Sequence, residues 1–122
     1  LSDFDNNGTM DMLVTNSNNK PILYQNFAGL KKSWVEFKVA GTRSNRNGVG
    51  TRIKVTTGGT SQIREVNCGN GYQSQSSFRV HFGLGAKTKI DVVEIKWPSG
   101  LVETYRHVAA NRIISLTEAS LR

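Results

Sequence analysis

Apolar and polar residues alternate along most of this chain, and that period of two leaves it little choice but to fold as β-structure. Val35, Phe37 and Val39 alternate with Glu36 and Lys38, and Ile53 and Val55 with Arg52 and Lys54. Phe78, Val80, Phe82 and Leu84 alternate with Arg79, His81 and Gly83, and Val93, Ile95 and Trp97 with Glu94 and Lys96. Successive side chains of a strand point to opposite faces, so each run predicts one buried and one wet face. Gly41 to Asn45, Gly58-Gly59, Gly69-Asn70-Gly71 and Pro98-Ser99-Gly100 supply turn signals about every ten residues, the spacing of a sandwich or barrel. The expected fold is all-β, an antiparallel β-sandwich or barrel-like domain.

Two hairpins are legible. Residues 51–57 and 61–67 flank Gly58-Gly59, a pair that tolerates the positive φ angles of a tight hairpin turn. Residues 91–97 and 101–106 flank Pro98-Ser99-Gly100, where proline presets φ at the first corner and glycine closes the turn. A last strand over residues 112–118 should carry Ile114 and Leu116 into the core, and no segment shows a helical stripe. The first 26 residues stand apart: a polar loop, a strand over 12–15, a turn and a strand over 21–26. Two strands alone bury no core, so this piece either packs on the following sheet or belongs with a neighbouring unit.

The polar loop is Asp3-Phe4-Asp5-Asn6-Asn7-Gly8-Thr9-Met10-Asp11. Oxygen donors at alternate positions around a glycine suit Ca²⁺, which gathers six to eight oxygens at roughly 2.3–2.6 Å. Asp3, Asp5, Asn7 and Asp11 are the expected side-chain ligands, with Thr9 giving its backbone carbonyl. Met12-Leu13-Val14-Thr15 after it is apolar and strand-like, so the loop is not an EF-hand, which closes on a glutamate and leads into a helix. The competing reading is a metal-free Asx-rich turn.

The chain has 122 residues, one domain's worth, with a hydrophobic fraction of 37% and twelve glycines. Its formal net charge is +7 although three of its nine acids lie in the first eleven residues. The remainder is more basic still, but the basic residues are scattered, which favours a solvated surface over a dedicated polyanion site and makes nucleic acid an unfavoured partner. No stretch is apolar enough for a transmembrane helix. The lone Cys68 has no internal disulfide partner. The chain starts inside a motif, without initiator methionine or signal-like segment, as expected of a piece of a larger protein.

The stretch Asp3-Phe4-Asp5-Asn6-Asn7-Gly8, with Leu23-Tyr24-Gln25-Asn26 after it, resembles the end of an FG-GAP or VCBS-type repeat, the calcium-loop unit of integrin-like β-propellers. Asn7 and Thr9 replace acids common in those repeats, which lowers the charge of the site. Ser44-Asn45-Arg46-Asn47-Gly48-Val49-Gly50, Gly69-Asn70-Gly71-Tyr72-Gln73-Ser74-Gln75-Ser76, His81-Phe82-Gly83-Leu84-Gly85, Trp97-Pro98-Ser99-Gly100 and Ala110-Asn111-Arg112 resemble the ASPIC/UnbV domain of cartilage-acidic-protein-like proteins. The resemblance divides the chain into residues 1–26, the end of a calcium-loop repeat, and residues 34–118, the ASPIC/UnbV-like β domain. It implies an all-β module of large exported proteins, extracellular or at the cell surface, beside β-propeller repeats, and it implies no reaction.

The segment from Gly69 to Ser77 is rich in amides and hydroxyls around one aromatic. Asn70, Tyr72, Gln73 and Gln75 are the candidate ligand-binding residues: the amides would bond sugar hydroxyls while Tyr72 stacks on a ring face. The alternative is an Ω-like loop satisfying its own backbone. His81 is expected hydrogen-bonded or solvated, and Trp34 and Trp97 to pack. Cys68 with a histidine lacks any local catalytic signature, and Gly83-Leu84-Gly85 is not a dinucleotide fingerprint. The expected function is that of a non-catalytic extracellular β module with structural calcium, serving adhesion or recognition of a glycan or protein. The alternatives are polyanion binding through a basic face and an accessory domain of an enzyme.

Overall fold

A computed structural model describes residues 1–119. Among them there is no helix, and nine strands form: β1 (Met12–Asn16), β2 (Asn19–Tyr24), β3 (Ser33–Ala40), β4 (Arg52–Thr57), β5 (Thr60–Glu65), β6 (Val80–Gly85), β7 (Lys89–Lys96), β8 (Val102–Ala109) and β9 (Arg112–Thr117). β1 and β2 make a two-stranded sheet, β6-β3-β9 a three-stranded one and β5-β4-β7-β8 a four-stranded one. The larger two bring their apolar faces together. Val35, Phe37, Val80 and Phe82 meet Ile53, Val55, Val93, Ile95 and Trp97, all buried, with Ile114 and Leu116 packed against them from β9. The all-β expectation and both hairpins hold. Gly58 and Gly59 have φ of 55° and 82°, the pair of positive values that a two-residue hairpin of matching twist requires.

One pairing departs from the antiparallel expectation: β3 and β9 run parallel, Val35 beside Arg112 through Ala40 beside Thr117. Alternation reports which face a residue takes, not strand direction. A parallel neighbour needs only a long crossover, and the whole four-stranded sheet lies between these two strands in sequence.

A second departure concerns Glu36. The alternation assigns it to the wet face of β3, and it does sit on the outer face, yet it is 1% exposed. The N-terminal loop covers it. The backbone of Leu1 accepts a hydrogen bond from Ser77 N at 2.9 Å, and His81 Nε2 lies 2.9 Å from the Gly8 carbonyl. The loop is therefore docked on the outer face of β3 and β6, whereas Met12, Leu13, Ile22, Leu23 and Tyr24 of the β1-β2 hairpin stay exposed.

Candidate functional site

The loop that covers β3 and β6 is closed at its base by mutual backbone hydrogen bonds between Ser2 and Asp11. Its curl brings carboxylate oxygens of Asp3, Asp5 and Asp11 within 4.8 Å of one another. Oxygens bound to one Ca²⁺ lie no more than about 5 Å apart, twice the metal–oxygen distance, so the spacing fits that ion. Asp3 and Asp11 are each 1% exposed and Asp5 is open to solvent.

Backbone donors hold these carboxylates in place. Asp3 accepts from Asn7 N at 3.1 Å and Gly8 N at 2.8 Å. Asp11 accepts from Phe4 N at 3.0 Å and Asn26 N at 2.9 Å. Asp5 accepts from Gln25 Nε2 at 2.7 Å and from the side-chain amide of Asn7 at 2.8 Å. Desolvation pushes the Asp5 carboxyl up, but these donors outweigh it and set it below the ordinary carboxylate range. Asn7 Oδ1 accepts from Thr9 N at 2.8 Å and from the Thr9 hydroxyl at 2.6 Å, and Thr9 is buried beside it. No lysine or arginine forms an ion pair with the three aspartates among the described residues. Two buried carboxylates beside a third, with hydrogen bonds but no ion pair among the described residues, are a donor set that fits a hard cation.

Gly8 is required twice. Its φ is 90°, and a Cβ there would come within 2.0 Å of Trp34 Nε1. Trp34 stacks on His81 with 6.5 Å between ring centroids, making the platform on which the loop rests. Gly8→Ala should destabilise the docked loop by about 2 kcal/mol through backbone strain and overpacking. Hydrogen exchange over residues 1–11 checks this, and protection equal to wild type would contradict it.

Arg79 ties the loop to the sheet. Its Nη1 reaches Asn6 Oδ1 at 2.7 Å and Glu36 Oε2 at 3.0 Å, and its Nη2 reaches the Asp3 carbonyl at 2.9 Å. Burial pushes the Glu36 carboxyl up; Arg79 opposes that, nearby Asp3 adds to it, and the net shift is upward. Sequence reasoning missed this link, because Arg79 reads as one more outward basic residue in an alternating strand.

The other candidate residues lie on the loop between β5 and β6. Tyr72 is 91% exposed. It lines a hollow of about 500 Å³ with Asn70, Ser74 and Gln75. Gln73 lines neither this hollow nor the adjoining one. Its contribution is backbone, since a φ of 50° turns the chain beneath Tyr72 while Gly71 and Ser74 bridge. Cys68 is exposed.

Several of the motif residues have architectural roles. Asn45 holds its own loop through both side-chain atoms, bonding the Val49 carbonyl at 2.8 Å and Val49 N at 2.9 Å. Asn111 exchanges hydrogen bonds with the Trp34 backbone where β9 begins. Ser44 and Ser99 both donate to the carboxylate of Glu118, whose Oε2 also accepts from the backbone N–H groups of Thr42, Arg43 and Ser44 at 2.8–2.9 Å. Three successive N–H groups converging on one oxygen form an anion cradle, filled here by the chain's own side chain.

A family model described as ASPIC and UnbV matches residues 41–122. No curated protein matches the chain.

Proposed function

The chain belongs to the ASPIC and UnbV family, and on that premise we propose that it is a non-catalytic recognition module of a larger exported protein, stiffened by Ca²⁺ in residues 3–11. The observation that carries the calcium reading is the convergence of Asp3, Asp5 and Asp11, two of them buried, without a basic partner among the described residues. Asn7 and the Thr9 carbonyl complete the proposed ligand set. Bound there, the ion would supply charge compensation, and the residues of the loop would keep the curl that seats Gly8 on Trp34. The role is structural: the ion stiffens the entry into the sandwich.

In this reading the exposed loop around Tyr72 is the recognition surface, taking a glycan or protein ligand outside the cell. The β1-β2 hairpin faces neighbouring β-propeller repeats of the same protein. Pro21-Ile22-Leu23-Tyr24 is apolar on both strand faces, a pattern suited to burial on both sides, and Ile22, Leu23 and Tyr24 are exposed here.

Ca²⁺ at a hundredfold excess over its Kd should raise stability by about 2.7 kcal/mol. Scanning calorimetry in Ca²⁺ against chelator reads this directly. Wild type should melt higher with Ca²⁺, and Asp5→Ala, a change at an exposed position, should abolish most of the difference. Identical melting with Ca²⁺ and with chelator would reject the calcium reading.

A second reading, polyanion binding, draws on the burial of Asp3, Asp11, Glu36 and Glu118, which leaves the outward charge more basic than the formal value. A steep fall of ligand affinity with salt would mark it.

A further inference from the structure

The hollow beside Tyr72 adjoins a second of about 350 Å³, and the two share Leu1, Asn70 and Ser76 along their boundary. One trough of mixed polar and apolar lining thus runs from an exposed aromatic ring to the end of β5, where Arg64 lines it. We propose that this trough binds an acidic saccharide, with its carboxylate or sulfate held by Arg64 and a sugar ring stacked on Tyr72. The proposal rests on the reading of this loop as a glycan-recognition element and names the ligand class.

Two arginines border the loop in sequence and both line the second hollow, but they differ in their partners. Arg79 is occupied, with Glu36, Asn6 and the Asp3 carbonyl sharing its guanidinium. Arg64 has no acidic partner among the described residues. Its guanidinium lies 5.6 Å from the centroid of the buried Phe82 ring, and its Nη1 donates to the Ile63 carbonyl at 3.2 Å. The ring and the carbonyl hold the planar fork in position while its other donors remain for an oxyanion. A guanidinium held this way loses less freedom on binding than a mobile lysine.

Between the two ends, Asn70 and Ser76 provide the neutral donors and acceptors that sugar hydroxyls need. Glu65 lines the Arg64 end as well. A carboxylate at that point disfavours a continuous polyanion and suits a ligand with one acidic group at a defined place. At the other end, the left-handed Gln73 and the bridge between Gly71 and Ser74 present Tyr72 away from the core, an arrangement that hydrophobic burial alone would not select.

Calorimetric titration with tetrasaccharides bearing one uronate or one sulfate, and with their neutral counterparts, tests the proposal. The acidic ligands should bind at least tenfold more tightly than the neutral ones, and the carboxylate and sulfate arms identify the preferred group. Arg64→Gln should erase that preference while the protein still folds and binds the neutral ligands, Arg64→Lys should keep part of it, and Tyr72→Ala should weaken every ligand. Equal affinity for acidic and neutral ligands, or a preference that survives Arg64→Gln, would overturn the role of Arg64 while leaving glycan recognition standing. Failure of the wild type to bind any saccharide would overturn both.

Discussion

Replacing Arg79 by alanine is expected to destabilise the protein by about 3 kcal/mol, near the lower end for breaking a buried ion pair because Arg79 is itself partly exposed. The substitution leaves Glu36 buried at 1% exposure with no opposite charge, and it cuts two hydrogen bonds that hold the N-terminal loop. Without Arg79, only the weaker attraction of His81 opposes desolvation at Glu36, and its carboxyl moves further up. A raised folded-state pKa favours the folded protein at low pH and loses that advantage as pH rises. The deficit of Arg79→Ala should therefore be largest near neutrality and shrink on acidification. Glu36→Gln should rescue part of it, since a neutral amide does not need the guanidinium. Denaturant titrations of the single and double variants at two pH values measure this, and strictly additive effects would show that Arg79 and Glu36 are not energetically coupled.

Glu118→Ala is expected to destabilise by a similar amount, about 3 kcal/mol, lowering the melting temperature by roughly 10 °C. It empties the cradle of Thr42, Arg43 and Ser44 and deprives the Ser44 and Ser99 hydroxyls of their acceptor. Burial pushes the Glu118 carboxyl up, but hydrogen bonds from Ser99, Ser44 and Thr42 outweigh it and hold the value at about 2, against 4.5 ordinarily. A depressed folded-state pKa means the stabilisation is complete above about pH 4.5 and is lost as pH falls toward 2. Wild type should lose stability across that window more steeply than Glu118→Gln. Parallel acid limbs in the two proteins would assign the acid sensitivity to other carboxylates.

The strands and hairpins were legible because their cause is local. Alternation at Val35-Phe37-Val39 or Val93-Ile95-Trp97 comes from burying one face, and Gly58-Gly59 from the backbone angles of a tight turn. The clustering of Asp3, Asp5 and Asp11 was legible for the same reason, since a nine-residue loop closed at its base has few ways to arrange alternate donors. Arg79, Glu36 and Glu118 were not legible. Each looks like an ordinary surface charge in its own strand or tail, and its role comes from a partner far away in sequence: Arg79 is 73 residues from Asn6, and Glu118 is 74 from Ser44.

By itself, the sequence determined the β class, the two tight hairpins, the aspartate loop and the family resemblance, all of which arise from neighbouring residues and short spacings. Only the tertiary structure decided that β9 runs parallel to β3, that the aspartate loop covers the outer face carrying Glu36, and that Arg79 is occupied while Arg64 is not. Alternation specifies a residue's face but carries no information on strand direction or on what lies against that face. Those are settled when distant segments meet, where one buried charge and its counter-charge must be brought together or left in water.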